Sequence, residues 1–304
     1  MQYLIFEDQF ETLFGEALVQ ARANAQQPAR SRAPEEVLDA ILSLRATLLR
    51  AAVPVLRHPN AAPLRLADLI SHGMMNDDMA ALVVKAVQGQ ANIAFAGAAN
   101  TGKTTLLRAF VNAAVPTWER VVTIENLDEL GLDTTFPNAV RLHDAQYDQQ
   151  SIHDQFIKAL RMMPDRLIVS EVQGILAKDV LEAAQSETGG LLFTMYLNRP
   201  DLLFHRFHSM LMNSGLALPY AVVESQVKNA LDLIIQVQRP ADGTGQIRPR
   251  RITEIAEVHA ELGIVPLWQW EGDTWVQRNE LSRSMARRLA LHSEMLHTRA
   301  PNRR

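Results

Sequence analysis

Residues 97–104 read Gly97-Ala98-Ala99-Asn100-Thr101-Gly102-Lys103-Thr104, a full match to the pattern G-x-x-x-x-G-K-[ST]. Glycines at 97 and 102 let the backbone turn tightly and approach a ligand, so that successive N–H groups point into one concavity. The stretch Asn92-Ile93-Ala94-Phe95-Ala96 just before it is a short apolar strand candidate. Thr105-Leu106-Leu107-Arg108-Ala109-Phe110 just after it carries a helical pattern. A helix starting at such a loop adds the positive end of its dipole. The bare pattern arises by chance in roughly one chain of this length in a hundred, and the strand–loop–helix context lowers that further. The segment from Gly97 to Thr105 is therefore expected to cradle the phosphates of ATP. The Lys103 ammonium would face the β- and γ-phosphates and the Thr104 hydroxyl would ligate Mg2+.

The rest of the chain agrees with that nucleus. From residue 91, short runs rich in β-branched residues alternate with helical stretches: Ile93–Ala96, Val121–Ile124, Leu167–Val169, Leu191–Met195, Leu233–Val237 and Ile252–Val258. Strands alternating with helices predict an α/β domain with a mainly parallel central sheet. Before it, Phe6, Phe10, Leu13, Phe14 and Ala17 recur at helical spacing, residues 24–34 read as a polar linker, and a second helix is expected from about Glu35 to Ala52, stopping before Pro54. The expected division is a short helical N-terminal region over 1–61, the ATPase domain over 62–260, and a C-terminal extension over 261–304. The stretch Gln277–Arg304 has seven arginines against two glutamates, and reads as a solvated helix face with a frayed end.

Composition narrows the function classes. The 304 residues are about two domains' worth on length, and 47% apolar against 21% charged is ordinary for a globular protein. A net charge of −4 gives no sign of a nucleic-acid partner. With no cysteine, disulfide scaffolds, thiolate zinc sites and cysteine nucleophiles are excluded. Glu7 and Asp8 stand where a secretory signal needs positive charge, and no apolar run reaches the roughly 18 residues of a membrane span. The expected location is cytoplasmic, any membrane contact being peripheral. His205 and His208 are three apart on an expected helix but have no third ligand nearby in sequence, so zinc is not expected.

A phosphate loop of this kind works with an acid at the end of a neighbouring strand, which holds the metal shell or polarises the attacking water. Two strands supply one: Val121-Val122-Thr123-Ile124 ends in Glu125, with Glu129 following, and Leu167-Ile168-Val169 runs to Ser170-Glu171. Both would deliver a carboxylate to the carboxyl edge of the sheet, where α/β sheets bind ligands.

With those residues in view, the chain resembles the hexameric secretion and pilus ATPases of bacterial type II and type IV systems, most of all the branch serving tight-adherence pili and conjugation-type channels. The resemblance covers roughly residues 62–258. Besides the phosphate loop it rests on Leu66-Ala67-Asp68-Leu69-Ile70, on Glu119-Arg120-Val121-Val122-Thr123-Ile124-Glu125 as the acidic box, and on Ala159 through Val172 as the Walker B segment. Ala230 through Val237 and Arg251-Ile252-Thr253-Glu254-Ile255 resemble the closing strands. It implies a RecA-like fold and an ATP-hydrolysing motor with Glu125 and Glu171 orienting Mg2+ and water. Arg141, Arg161, Arg166 and Arg206 fall at or near the family's phosphate-sensing arginine positions. The resemblance further implies a ring, a hexamer of this chain or a mixed ring with a complete ATPase, working on an inner-membrane secretion or pilus platform protein.

The departures from the family pattern motivate an alternative. Ala98, Ala99 and Asn100 replace the usual small filling of the loop, Asn126 stands where the family has a second acid, and Gln173 where it has arginine. Ser186-Glu187-Thr188-Gly189-Gly190 and Thr194-Met195-Tyr196-Leu197 replace the histidine box, putting Thr188 and Tyr196 at the two histidine positions. Neither carries a proton near neutral pH as imidazole does, though both can hydrogen-bond. Only Arg57 stands as a counterpart to the arginine that the family's larger N-terminal domain lends across subunits. The alternative is thus a degenerate nucleotide-binding paralogue acting as a regulatory or structural subunit. A P-loop kinase is a weaker third reading, opposed by the family-like segments after residue 119.

Overall fold

The computed structural model describes residues 64–125, 129–143, 149–185, 190–240 and 249–299. The expected N-terminal helices, the linker over 24–34, Arg57, Asn126 and Thr188 lie outside these residues. Residues Pro63–Arg304 form one compact unit.

In chain order the elements are α1 (Leu66–Ser71), α2 (Asp77–Gln88), β1 (Ile93–Gly97), α3 (Lys103–Ala114), β2 (Val121–Glu125), β3 (Val140–His143), α4 (Gln149–Arg161), β4 (Arg166–Val172), α5 (Leu176–Gln185), β5 (Leu192–Tyr196), α6 (Leu203–Asn213), α7 (Tyr220–Ala230), β6 (Leu233–Gln238), β7 (Arg251–His259), β8 (Gly263–Glu271), β9 (Thr274–Gln277) and α8 (Arg283–Arg299). The strands form one nine-stranded sheet in the order β3-β2-β4-β5-β1-β6-β7-β8-β9. The six strands from β3 to β6 run parallel, and β7, β8 and β9 continue antiparallel. The α/β class and the mainly parallel sheet expected from the sequence are present, in the RecA-like arrangement.

Helices cover both faces of the parallel half, which is why its strands are continuously apolar rather than alternating. In β1, Ile93 and Phe95 point into a core shared with Val83, Val87, Leu107 and Phe110. Ala94 and Ala96 point into the opposite core, with Phe156, Val180, Phe193 and Phe207. The amino ends of the central strands are tied by the buried Asn92. Its backbone N–H donates to Asp232 Oδ2 (2.8 Å), its Nδ2 to the carbonyls of Ala184 (3.1 Å) and Ala230 (2.9 Å), and its Oδ1 accepts from Leu191 N–H (3.0 Å). At the carboxyl ends of the same strands lies the phosphate loop.

Three strands escaped the sequence reading. β3 is a four-residue edge strand, and β8 contains Pro266 and two tryptophans in a run without clean alternation. β7 pairs with β8 from Glu254↔Gln269 to His259↔Gly263, with a register shift after Ile255, so the sheet continues across the boundary expected at residue 260. The Arg-rich segment also docks. α8 buries Met285 and Leu289, Leu289 lies directly against Gly89, and Arg288 bonds Asp232. A side chain at residue 89 would collide with Leu289, its Cβ coming 2.6 Å from Leu289 Cδ2.

Candidate nucleotide-phosphate site

The loop between β1 and α3 takes its shape from three residues with positive φ: Gly97 at 155°, Asn100 at 58° and Gly102 at 96°. A Cβ on Gly97 would lie 2.3 Å from Val237 O and 2.7 Å from Thr101 Oγ1, so no side chain fits where the loop leaves the sheet. Asn100 explains one departure from the usual filling, because asparagine is among the few non-glycine residues that adopt left-handed backbone readily. Thr101 Oγ1 and Lys103 Nζ both donate to the Ala98 carbonyl, at 2.9 and 2.8 Å. Ala99, Asn100 and Thr105 are exposed, while Lys103 and Thr104, in the first turn of α3, are half-buried.

Two acids bear on Lys103. Burial pushes its ammonium below the ordinary lysine range, and Glu171 and Glu129 oppose that shift with their negative charge. Glu171 reaches this position through a change of register. β4 and β5 pair Val169↔Phe193 and then Val172↔Met195, three steps on one strand against two on the other, and the extra residue falls at Ser170–Glu171. Such a bulge re-aims a side chain next to a site. It is held by the buried Thr194, whose hydroxyl donates to the Ser170 carbonyl. Because β5 lies between β1 and β4, the loop and Glu171 stand two strand spacings apart, about 10 Å. That leaves room for a phosphate group and its ligands.

Glu125 is engaged within its own chain. It ends β2 as expected, but it is 1% exposed and its carboxylate faces inward. Oε1 accepts from Thr123 Oγ1 (2.7 Å), and Oε2 accepts from the N–H groups of Glu129 (3.0 Å) and Leu130 (2.9 Å). It holds the segment that carries Glu129. The acid that bears on Lys103 from this side is thus Glu129, four residues later.

The four arginines part company. Arg206, on α6, lies with Cζ 6.0 Å from the ring centre of Tyr196, which ends β5 directly opposite Gly97. It is the one of the four at the carboxyl edge. Arg166 begins β4 at the amino edge, is 0% exposed, and is locked by Glu119 and the Val87 carbonyl. Arg161 ends α4 on the same wrong side, five residues before it. Arg141 is on β3, four strand spacings from β1, about 19 Å. None of these three can reach the phosphate loop of its own chain.

One other arginine does. Arg250 Nε donates to the Asn100 carbonyl (3.1 Å), and its Cδ would lie 3.2 Å from a Cβ on Gly102. Burial, and then the positive charge of Arg239, hold Arg250 below the ordinary arginine range. The two flank the β6–β7 connection, and β6 is the strand beside β1. The strand order, rather than any local motif, brings Arg250 to the loop. His205 and His208 both pack on the Tyr220 ring, and His208 Nε2 lies 3.1 Å from the Leu218 carbonyl.

The family model described as "T2SSE: Type II/IV secretion system protein" matches residues 22–261. The chain belongs to this family. The type IV secretion system protein PtlH homolog of Bordetella bronchiseptica is 32% identical over 216 residues, 68% of this chain and 62% of that protein. VirB11 of Brucella suis, likewise a type IV secretion system protein, is 30% identical over 187 residues, 59% of this chain and 50% of its own length. The chain thus spans between half and about three-fifths of these curated relatives. The crystal structure of the Brucella suis VirB11 ATPase in complex with sulphate aligns with a TM-score of 0.54 at 27% identity, covering 76% of this chain and 65% of that one. Among the described residues of this type II/IV secretion system protein, no helix is long and apolar enough to cross a membrane.

Proposed function

We propose that this chain is an ATP-hydrolysing motor subunit of a type II/IV secretion or pilus machine, acting in a ring, a hexamer, on the cytoplasmic side of the inner membrane. The observation that carries this reading is the half-buried Lys103 on the phosphate loop with Glu171 and Glu129 bearing on it. Family membership supports it.

In this reading the backbone N–H groups from Ala98 to Thr105 and the Lys103 ammonium bind the β- and γ-phosphates of ATP. Lys103 would exchange its bond to the Ala98 carbonyl for phosphate oxygens. Glu171 takes the proton of the attacking water, or orients that water through a hydrogen bond, in line with the γ-phosphate. Glu125 acts as a positioning residue, fixing the backbone that carries Glu129. Arg250 and Arg206 offset charge on the phosphates. The Thr104 hydroxyl and the carboxylates of Glu171 and Glu129 are all-oxygen donors of the kind that suits Mg2+, which would supply charge neutralisation at the phosphates.

A second reading is nucleotide binding without turnover. Tyr196 favours it: the residue at the histidine position has its ring against Arg206, with no imidazole to exchange a proton. Mg-dependent ATP turnover and nucleotide affinity of wild type, Glu171→Gln and Lys103→Ala decide between them. A working motor loses turnover in both variants, keeps affinity in Glu171→Gln and loses it in Lys103→Ala. Tight binding with wild-type turnover no higher than that of Glu171→Gln sinks the motor and leaves the sensing subunit.

A further inference from the structure

On the antiparallel side of β6, away from the phosphate loop, lies a cavity of about 350 Å3 lined by residues of β6, β7, β8 and the turn after β5. Its polar lining combines three acids with the Arg199 guanidinium and three glutamine amides. The amide nitrogens are engaged by the protein itself. Gln236 Nε2 donates to the carbonyls of Leu197 (2.9 Å) and Asn198 (3.1 Å), Gln238 Nε2 to Asn198 (2.8 Å), and Gln269 Nε2 to Glu254 Oε2 (3.3 Å). Gln269 Oε1 in turn accepts from Arg278 Nε (3.1 Å). The two carbonyls fix which way the Gln236 amide faces, turning its oxygen away from them. That residue is 1% exposed, and its Oε1 has no hydrogen-bond partner among the described residues.

Charge points the same way. Of the acids lining the cavity, Asp201 is held by the Arg199 guanidinium and Glu271 by Arg278. Among the described residues, Glu254 has only the neutral Gln269 amide bonded to it. Burial, with the Asp201 charge adding to it, pushes the Glu254 carboxyl above the usual range against the Gln269 bond and the Arg199 charge, and a further cation there would favour its ionised form. Trp270 supplies an aromatic wall, with the Arg251 guanidinium already over its ring, Cζ 4.3 Å from the centroid. One negative charge, an orphaned buried acceptor and an aromatic side together describe a receptor for a single donor-rich cation on an apolar stem.

We propose that this cavity binds a guanidinium or alkylammonium group, with Glu254 and Gln236 Oε1 as its acceptors and Trp270 against its stem. The group is either on a free small molecule or on a basic side chain of a second copy of this chain. The site is separate from the phosphate loop and does not depend on nucleotide turnover. It stands one strand away, since Gln236 on β6 pairs with Ala96 on β1, the residue before Gly97.

The test titrates the full chain with N-acetyl-arginine methylamide in a calorimeter, with the uncharged citrulline counterpart as control. Sedimentation is run with and without the probe, on wild type and on Glu254→Gln, a shape-conserving change outside the phosphate site. Saturable arginine binding, at least tenfold weaker in Glu254→Gln and absent for citrulline, is expected. If the natural ligand belongs to a second copy, the probe and Glu254→Gln both shift the protein to smaller species. If it is a free small molecule, binding occurs with no change in assembly. Arginine and citrulline binding alike, wild type and Glu254→Gln binding alike, or no saturable binding together with unchanged assembly in Glu254→Gln would each overturn the proposal.

Discussion

Arg166 donates from Nε to Glu119 Oε2 at 2.6 Å, in a pair whose side chains are 0% and 4% exposed. A second bond runs from Nη2 to Glu119 Oε1 (3.4 Å), and Nη1 donates to the Val87 carbonyl. The guanidinium thereby joins the start of β4, the residues before β2 and the end of α2. Removing one partner strands the other charge in the interior. Arg166→Met or Glu119→Leu alone is expected to cost about 3–5 kcal/mol in denaturant unfolding, with the double replacement recovering much of that. The affinity of the folded variants for nucleotide should stay at the wild-type value. A fall in affinity without loss of stability would return Arg166 to the phosphate site.

Gly190 belongs to the same arrangement. Its φ is +81°, and a Cβ there would lie 2.8 Å from Arg166 Nη1 and 2.9 Å from its Cδ. The backbone conformation alone costs an alanine about 1–2 kcal/mol, and displacing the guanidinium adds to it. Gly190→Ala should therefore lower the unfolding midpoint by more than the backbone term. In an Arg166→Ala background the excess should disappear. Strict additivity of the two changes would show that the clash does not matter.

These two residues also show where sequence reading stops. Arg166 lies in the segment Asp165-Arg166-Leu167, which looks like any approach to a Walker B strand, and nothing local says that its partner is Glu119. The phosphate loop and six of the strands were legible because each is written in contiguous residues: fixed glycines, a lysine, runs of β-branched side chains. Glu171 was legible as a carboxylate after such a run. The order of strands was not, and it decides which arginines matter. It sends Arg141 to the outer edge and brings Arg250 to Asn100, across 150 positions of sequence. Glu125 shows another limit of sequence: a carboxylate at a strand's end can face ligand or backbone, and here the N–H groups of Glu129 and Leu130 bond it.

Lys103 gives a pH prediction. Burial lowers its folded pKa below that of the unfolded chain. Between those two values the unfolded state holds more protons, so stability rises with pH across that alkaline window. Below the folded pKa the penalty of burying the ammonium is fully present. Lys103→Met should abolish this contribution to the slope. Nucleotide phosphates add negative charge beside the ammonium and should raise its pKa, reducing the slope in wild type. Carbon-13 NMR of the lysine side chains across alkaline pH reads the shift directly, and a Lys103 titration that ADP leaves unmoved would count against phosphate contact.

Arg250→Ala should weaken nucleotide binding about tenfold, about 1.4 kcal/mol, the scale of one charge-assisted bond. Arg250→Lys should recover part of this, since it keeps the charge but loses the fork. Because Arg250 is exposed, the difference from wild type should shrink at high salt. A fluorescent-nucleotide titration at two ionic strengths measures all of these. Equal affinities at low salt would leave Arg250 as a loop support through Asn100 alone.

The Asn92 amide sets a mechanical asymmetry in the sheet. Its four bonds root β1, β5 and β6 together at their amino ends, along with the ends of α5 and α7. The opposite tips of these strands carry the phosphate loop, Tyr196 and the approach to Arg239. Strands rooted this way resemble the tines of a fork, and a ligand at the loop is expected to act on the tips while the roots keep their register. Amide protons near Asn92 should then exchange slowly whatever occupies the loop, and ligand-dependent protection should fade along each strand from tip to root.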